Sequence, residues 1–185
     1  MIAWTDLETT GLDERVGNIL EVAFVITDDN LEEKSHFSCV VNVKDIAPMD
    51  AIVREMHTVN GLFKEMDNGK WVRDEDLEDE IVDWFIDQGP IKELKKVPLA
   101  GSTVGFDRRW IRHHLPNVEA MFSYRSIDVS SITELVKRFA PDVYEKRPRA
   151  ENPAHRALAD VRESIAILKF YREHFFKTTI PAVMP

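Results

Sequence analysis

Apolar positions near the N-terminus follow strand spacing and predict three strands, at residues 2–7, Ile19–Thr27 and residues 36–42. Asp28-Asp29-Asn30 forms the turn between the second and third. Helical spacing then takes over. Helices are expected at about residues 50–56 and 74–88, the latter with Leu77, Ile81, Trp84 and Phe85 as its apolar stripe. A strand at 98–102 leads into a helix at 107–114, and a short strand near 124–127 precedes a helix over Val129–Phe139. The proline- and charge-rich stretch 140–154 reads as a loop. A last helix, at about 156–176, carries Leu158, Val161, Ile165, Leu168 and Tyr171 on one face. Strands first, then helices interleaved with strands, predict an α/β fold in which helices flank a mixed sheet. One domain is expected over residues 1–176, with 177–185 as an extended or frayed tail.

Chemistry enters with Asp6 and Glu8, two carboxylates two positions apart on the first strand. Alternation sends them to one face. Like charges held together raise each other's pKa unless a cation sits between them. A divalent ion is the natural third party, and oxygen-only ligands favour Mg²⁺ or Mn²⁺ over zinc. Taken alone, the pair reads more readily as a solvated strand end. Two further acids change that picture. Asp107 opens a helix after a short apolar strand, a position that also suits an N-cap. Asp160 lies near the edge of the last helix's apolar stripe, and His155 stands in the loop or first turn before it, free to reach over a site.

Asp-x-Glu, then Asp, then His-(four residues)-Asp is the pattern of the DEDDh class of 3′→5′ exonucleases. Within that class the chain most resembles oligoribonuclease. The resemblance rests on Asp6-Leu7-Glu8, Thr10-Gly11-Leu12-Asp13, Ile19-Leu20-Glu21-Val22-Ala23, His57-Thr58 with Gly61-Leu62, and Asp107-Arg108-Arg109. It continues through Tyr124-Arg125-Ser126-Ile127-Asp128-Val129-Ser130 and His155-Arg156-Ala157-Leu158-Ala159-Asp160, from about Ala3 to Phe175. It implies an RNase H-like fold. It also implies that Asp6, Glu8, Asp107 and Asp160 hold two divalent ions, Mg²⁺ or Mn²⁺, with His155 as the general base. Leu12 matches a wedge between the terminal bases. His57, Thr103, Arg125 and Ser130 match positions that cap the 5′ phosphate of a very short single-stranded RNA. The resemblance further implies a homodimer in which Tyr124 and Arg125 reach the neighbouring active site. An arginine suits such a cap because its planar fork matches phosphate oxygens. Without that context, Tyr124 and Arg125 read as a strand-edge aromatic and a surface arginine.

The chain also departs from the family's pattern. Ile52 stands where a tryptophan is usual, Phe106 replaces a glutamine, Thr103 a serine, and Ser102 an asparagine. Thr5-Asp6-Leu7-Glu8-Thr9-Thr10-Gly11 reads closer to proofreading exonucleases. A DnaQ-like exonuclease acting on single-stranded DNA or longer RNA ends is therefore the alternative enzyme. A catalytically idle nucleic-acid-binding adaptor is the alternative of another class, though neither an acid nor the histidine is missing.

Net charge −9 and a pI near 5.2 argue against a protein that grips long duplexes by neutralising phosphates. Arg108, Arg109 and Arg112, and Lys146, Arg147 and Arg149, are open to two readings, phosphate steering or ordinary surface charge. A single cysteine, Cys39, excludes an internal disulfide and fits a core position in a reducing cytoplasm. No apolar run is long enough to span a membrane, so a cytoplasmic protein is expected.

Overall fold

The computed structural model describes residues 1–149 and 155–176. Six strands form one mixed sheet: β1 (Ile2–Thr9), β2 (Ile19–Thr27), β3 (Glu33–Asn42), β4 (Val72–Arg73), β5 (Leu99–Gly101) and β6 (Ser126–Asp128), in the order β4-β3-β2-β1-β5-β6. β2 runs antiparallel to both β1 and β3; β4, β5 and β6 each pair parallel with a neighbour. The helices are α1 (Ala51–Val59), α2 (Leu62–Asp67), α3 (Leu77–Asp87), α4 (Ile91–Leu94), α5 (Gly105–His114), α6 (Pro116–Glu119), α7 (Val129–Phe139), α8 (Pro141–Glu145) and α9 (Ala157–Tyr171). A π-helical turn, Arg172–Phe176, continues α9.

Alternation along β1 and β2 divides the interior. Ala3, Leu7, Leu20, Val22 and Phe24 pack with Phe85, Trp110 and Ile111 of α3 and α5. Trp4, Ala23 and Val25 pack on the other side with Val129, Val161, Ile165 and Leu168 of α7 and α9. β2 is buried along its whole length, as a central strand covered on both faces must be. Gly101 lets β5 close on β1, because a Cβ there would stand 2.7 Å from the Thr5 carbonyl oxygen. That approach brings the start of α5 against β1, where Asp107 accepts the Leu7 N–H.

The larger predicted elements are all present. The loop expected at 140–154 is corrected in part, since it contains α8, whose Pro141 sits at the helix start where its missing N–H costs nothing. Residues 150–154 of that stretch, and the tail at 177–185, lie outside the described residues. β3 begins three residues earlier than expected. Its start is polar because Glu33 pairs with Arg162 of α9 at 2.8 Å.

Candidate active site

Asp6 and Glu8 lie on the face of β1 that α9 covers. Asp160, in the first turn of α9, meets them there: one carboxylate oxygen from each of the three lies within 4.8 Å of the others. Asp107 arrives from α5. That helix begins at Gly105 with Val104 at its N-cap position, so Asp107 lies inside the first turn and does not cap it. Its carboxylate instead accepts the backbone N–H of Leu7 at 3.1 Å.

The acids repel one another. Burial pushes Asp6 well above its usual value, with further upward pressure from Asp107, Asp160 and Glu8. Burial raises Glu8 to about 8, helped by the charges of Glu21 and Asp160 and opposed by Arg156. Asp107 rises to about 7 for the same reason of burial, held back by N–H bonds from its own backbone and from Leu7. Burial lifts Asp160 as well, with His155 opposing the shift. Three converging carboxylates, Asp6, Glu8 and Asp160, with Asp107 tied to the same strand, resist ionisation and could hold a divalent cation, which would restore the charged forms. The residues fit the group.

His155 is exposed, immediately before Arg156 and the start of α9, with φ at +42°. A left-handed conformation at a non-glycine residue is a strained one. Thr103, at φ +56°, is the second such residue near this end of the sheet. Its N–H donates to Asp128 at 2.8 Å, and its hydroxyl lies 3.1 Å from that of Ser130. Thr103 and Ser130 therefore form one polar cluster over the start of α7, where Asp128 also caps the helix by accepting Ser130 N–H. Tyr124 and Arg125 project outward, the guanidinium 5.1 Å from the ring centre, and Leu12 is 81% exposed. Ile52 is equally exposed on α1.

His57 takes a different place from the other predicted contacts. It is fully buried, with Nε2 3.0 Å from the Thr9 carbonyl oxygen and Nδ1 3.8 Å from Glu8. Burial lowers its pKa. Arg108 is also buried. It pairs with Glu119 at 2.9 Å and donates to the carbonyls of Ser123 and Arg125, while Arg112 reaches the same Glu119. These two arginines brace the chain leading into β6. Cys39 packs against the core, and burial pushes its thiol up to about 12, far from a nucleophile's range.

Sequence reasoning gave no role to Glu21, Asn60 and Arg156. Glu21 is a charged residue within an otherwise uncharged buried strand, opposite Glu8 in the β1–β2 register. That position was the available signal, because a buried charge requires a partner.

The chain matches the RNase T family of exonucleases over residues 3–168. It is 38% identical over 178 residues to the oligoribonuclease of Leifsonia xyli subsp. xyli, covering 95% of this chain and 84% of that one. The Tropheryma whipplei oligoribonuclease is 38% identical over 182 residues, covering 96% and 95%. Among solved structures, an exonuclease I from Methylocaldum szegediense superposes with a TM-score of 0.69 at 21% identity, over 95% of this chain and 41% of that one. The zinc-bound E. coli exonuclease I–ssDNA complex gives 0.72 at 15% identity, with the same coverage. The chain thus spans about two-fifths of those exonuclease I chains, which share its fold. Over nearly its whole length, and with an acidic cluster suited to divalent metal, the chain belongs to the RNase T exonuclease family and, within it, to the oligoribonucleases, metal-dependent 3′→5′ exonucleases.

Proposed function

We propose that this enzyme degrades short single-stranded RNA from the 3′ end to nucleoside 5′-monophosphates, with His155 as general base. The observation that carries the reading is the meeting of Asp6, Glu8 and Asp160, with Asp107 tied to the same strand and His155 directly ahead of α9. Two divalent ions, Mg²⁺ or Mn²⁺, held by the four acids would stabilise the attacking and leaving oxygens of an in-line displacement. A His155 ring nitrogen takes the proton of the attacking water as the new P–O bond forms. The P–O3′ bond breaks, and the departing oxygen takes a proton from solvent. A histidine suits this task because its ordinary pKa lies near working pH.

Leu12, exposed at the rim, wedges between the two terminal bases. Thr103 and Ser130 supply hydroxyls to the 5′ phosphate, and Arg125, with Tyr124 beside it, donates its guanidinium N–H groups to the 5′ phosphate in the active site of a second copy. Support for a homodimer comes from the outward projection of Tyr124 and Arg125, which are exposed. His57, under Glu8, contributes to this end of the site from below.

Turnover of 5′-labelled RNA of two, five and twenty nucleotides, beside matched DNA, tests the reading. Preference for the RNA dinucleotide is expected. Equal or better cleavage of long strands would keep the nuclease and remove the short-substrate cap, in favour of the DnaQ-like reading that the exposed Ile52 motivates. No metal-dependent turnover of any strand would leave only a binding domain.

A further inference from the structure

Two sets of contacts hold the chain from the His155 carbonyl through Ala157. Asn60, the residue that ends α1, donates its side-chain amide to the His155 carbonyl oxygen, while its Oδ1 accepts Leu62 N–H at 3.0 Å. The next residue, Arg156, forms a fork on Glu21, Nε to Oε2 at 2.9 Å and Nη2 to Oε1 at 2.8 Å. Nη2 also reaches Glu65 of α2 at 2.6 Å. Glu21 then accepts the Ala157 N–H at 3.2 Å. It serves as the cap of α9 from another strand, since the residue at the N-cap position, Arg156, makes no side-chain cap of its own.

These contacts converge on a residue whose backbone is strained. A φ of +42° at a histidine persists only where its surroundings over-determine it. A surface turn would not need a carboxylate that is 97% buried, as Glu21 is at 3% exposure, to fix the next residue along. Burying that acid beside Glu8 adds like charge to a site already crowded with it, so the arrangement is costly to stability and demands another reason. Holding a proton acceptor in place is such a reason, because small misplacements of a reacting group are expensive in rate.

We propose that Asn60 and the Glu21–Arg156 pair are positioning residues for His155, fixing its carbonyl and the two residues that follow it so that its ring stands over the acidic cluster. The inference rests on the reading of His155 as the base. Arg156 does not contact substrate in this role; its fork is spent on Glu21 and Glu65.

The test compares Asn60→Ala and Arg156→Lys, each alone and combined with His155→Ala, on short RNA with Mn²⁺. Lysine keeps the charge and loses the fork. Each single change should lower kcat by about 10²-fold with KM little altered, the scale of a misplaced group. In the His155→Ala background neither change should cost anything further, since the group it positions is already gone. Mn²⁺ affinity by calorimetry should stay at the wild-type value, and amide exchange at Ala157 should quicken in Arg156→Lys. Equal losses in both backgrounds would overturn the proposal, assigning the effect to Asp160 or to the fold. Unchanged kcat in the single variants, with His155→Ala inactive, would sink the positioning role and leave the base intact. Wild-type turnover by His155→Ala itself would remove the base and the proposal together. If Arg156→Lys fails to fold, Asn60→Ala decides the matter.

Discussion

The carboxylate of Asp107 accepts the backbone N–H of Leu7 at 3.1 Å, tying helix α5 to the strand residue that separates Asp6 from Glu8. One oxygen of a site acid is thus committed to architecture, and the spacing of acids on two different elements is set by a hydrogen bond rather than by packing alone.

Replacing Asp107 separates the two roles. Asparagine keeps an oxygen for Leu7 and removes the charge, so Asp107→Asn should fold normally and lose turnover. Alanine leaves a buried N–H without its acceptor, a cost of about 1–3 kcal/mol. Denaturant unfolding of the two variants should show Asp107→Ala the less stable by that margin. Equal stabilities would mean that the Leu7 N–H finds another acceptor.

Asp160 is half-buried at the edge of α9, with solvent on one side and the other acids on the other. Asp160→Asn should therefore leave the melting temperature near or above the wild-type value while turnover falls by more than the roughly 10–100-fold typical of losing a partner outside the ligand set. Normal turnover in that variant would remove Asp160 from the reaction.

Arg125 offers its guanidinium to solvent, stacked on the equally exposed Tyr124 ring. If it caps a 5′ phosphate across a dimer, Arg125→Ala should raise KM for a dinucleotide far more than for a twenty-nucleotide strand. A uniform effect at all lengths would leave the nuclease and discard the cap. Mixing Arg125→Ala with Asp160→Asn subunits adds a second reading, since a cap supplied across the dimer predicts partial recovery in the mixed dimers.

The sheet and its acids were legible because both obey short periods. Alternation predicts that Asp6 and Glu8 share a face, and helical spacing puts Asp160 at the border of a buried stripe. Short elements such as α2, α4, α6 and β4 escape, since two to six residues complete too little of any period to stand out. His57 shows a different limit. Its place in the sequence matches a phosphate contact, while its burial against the Thr9 carbonyl depends on how α1 docks, a relationship spread over 48 residues of chain. Glu21 and Asn60 escaped for the same reason: their partners, Arg156 and His155, lie far along the chain and come close only after folding.

A metal held by these acids would compete with protons for them, and the competition has a sign. Glu8 rises from 4.5 to about 8 in the folded protein, so between these values the unfolded chain has released a proton that the native state still holds. Stability from this group is complete below about pH 4.5 and is lost as pH climbs through 8. At about 1.4 kcal/mol per unit, the window is worth a few kcal/mol. Asp107, raised to about 7, acts in the same direction. His57 and His114, whose burial holds them below 6.5, act oppositely near that pH. The difference between wild type and Glu8→Gln isolates the effect. Without metal, the variant's advantage in melting temperature should grow from pH 5 to pH 8.5; saturating Mg²⁺ should erase it by stabilising the wild type alone. Calorimetry near pH 7 should detect proton release on metal binding as an enthalpy that changes with the buffer. A Glu8→Gln variant less stable than the wild type at pH 8 without metal would mean that the Glu8 charge is already compensated, with Arg156, the cation that opposes its shift, as the compensating group.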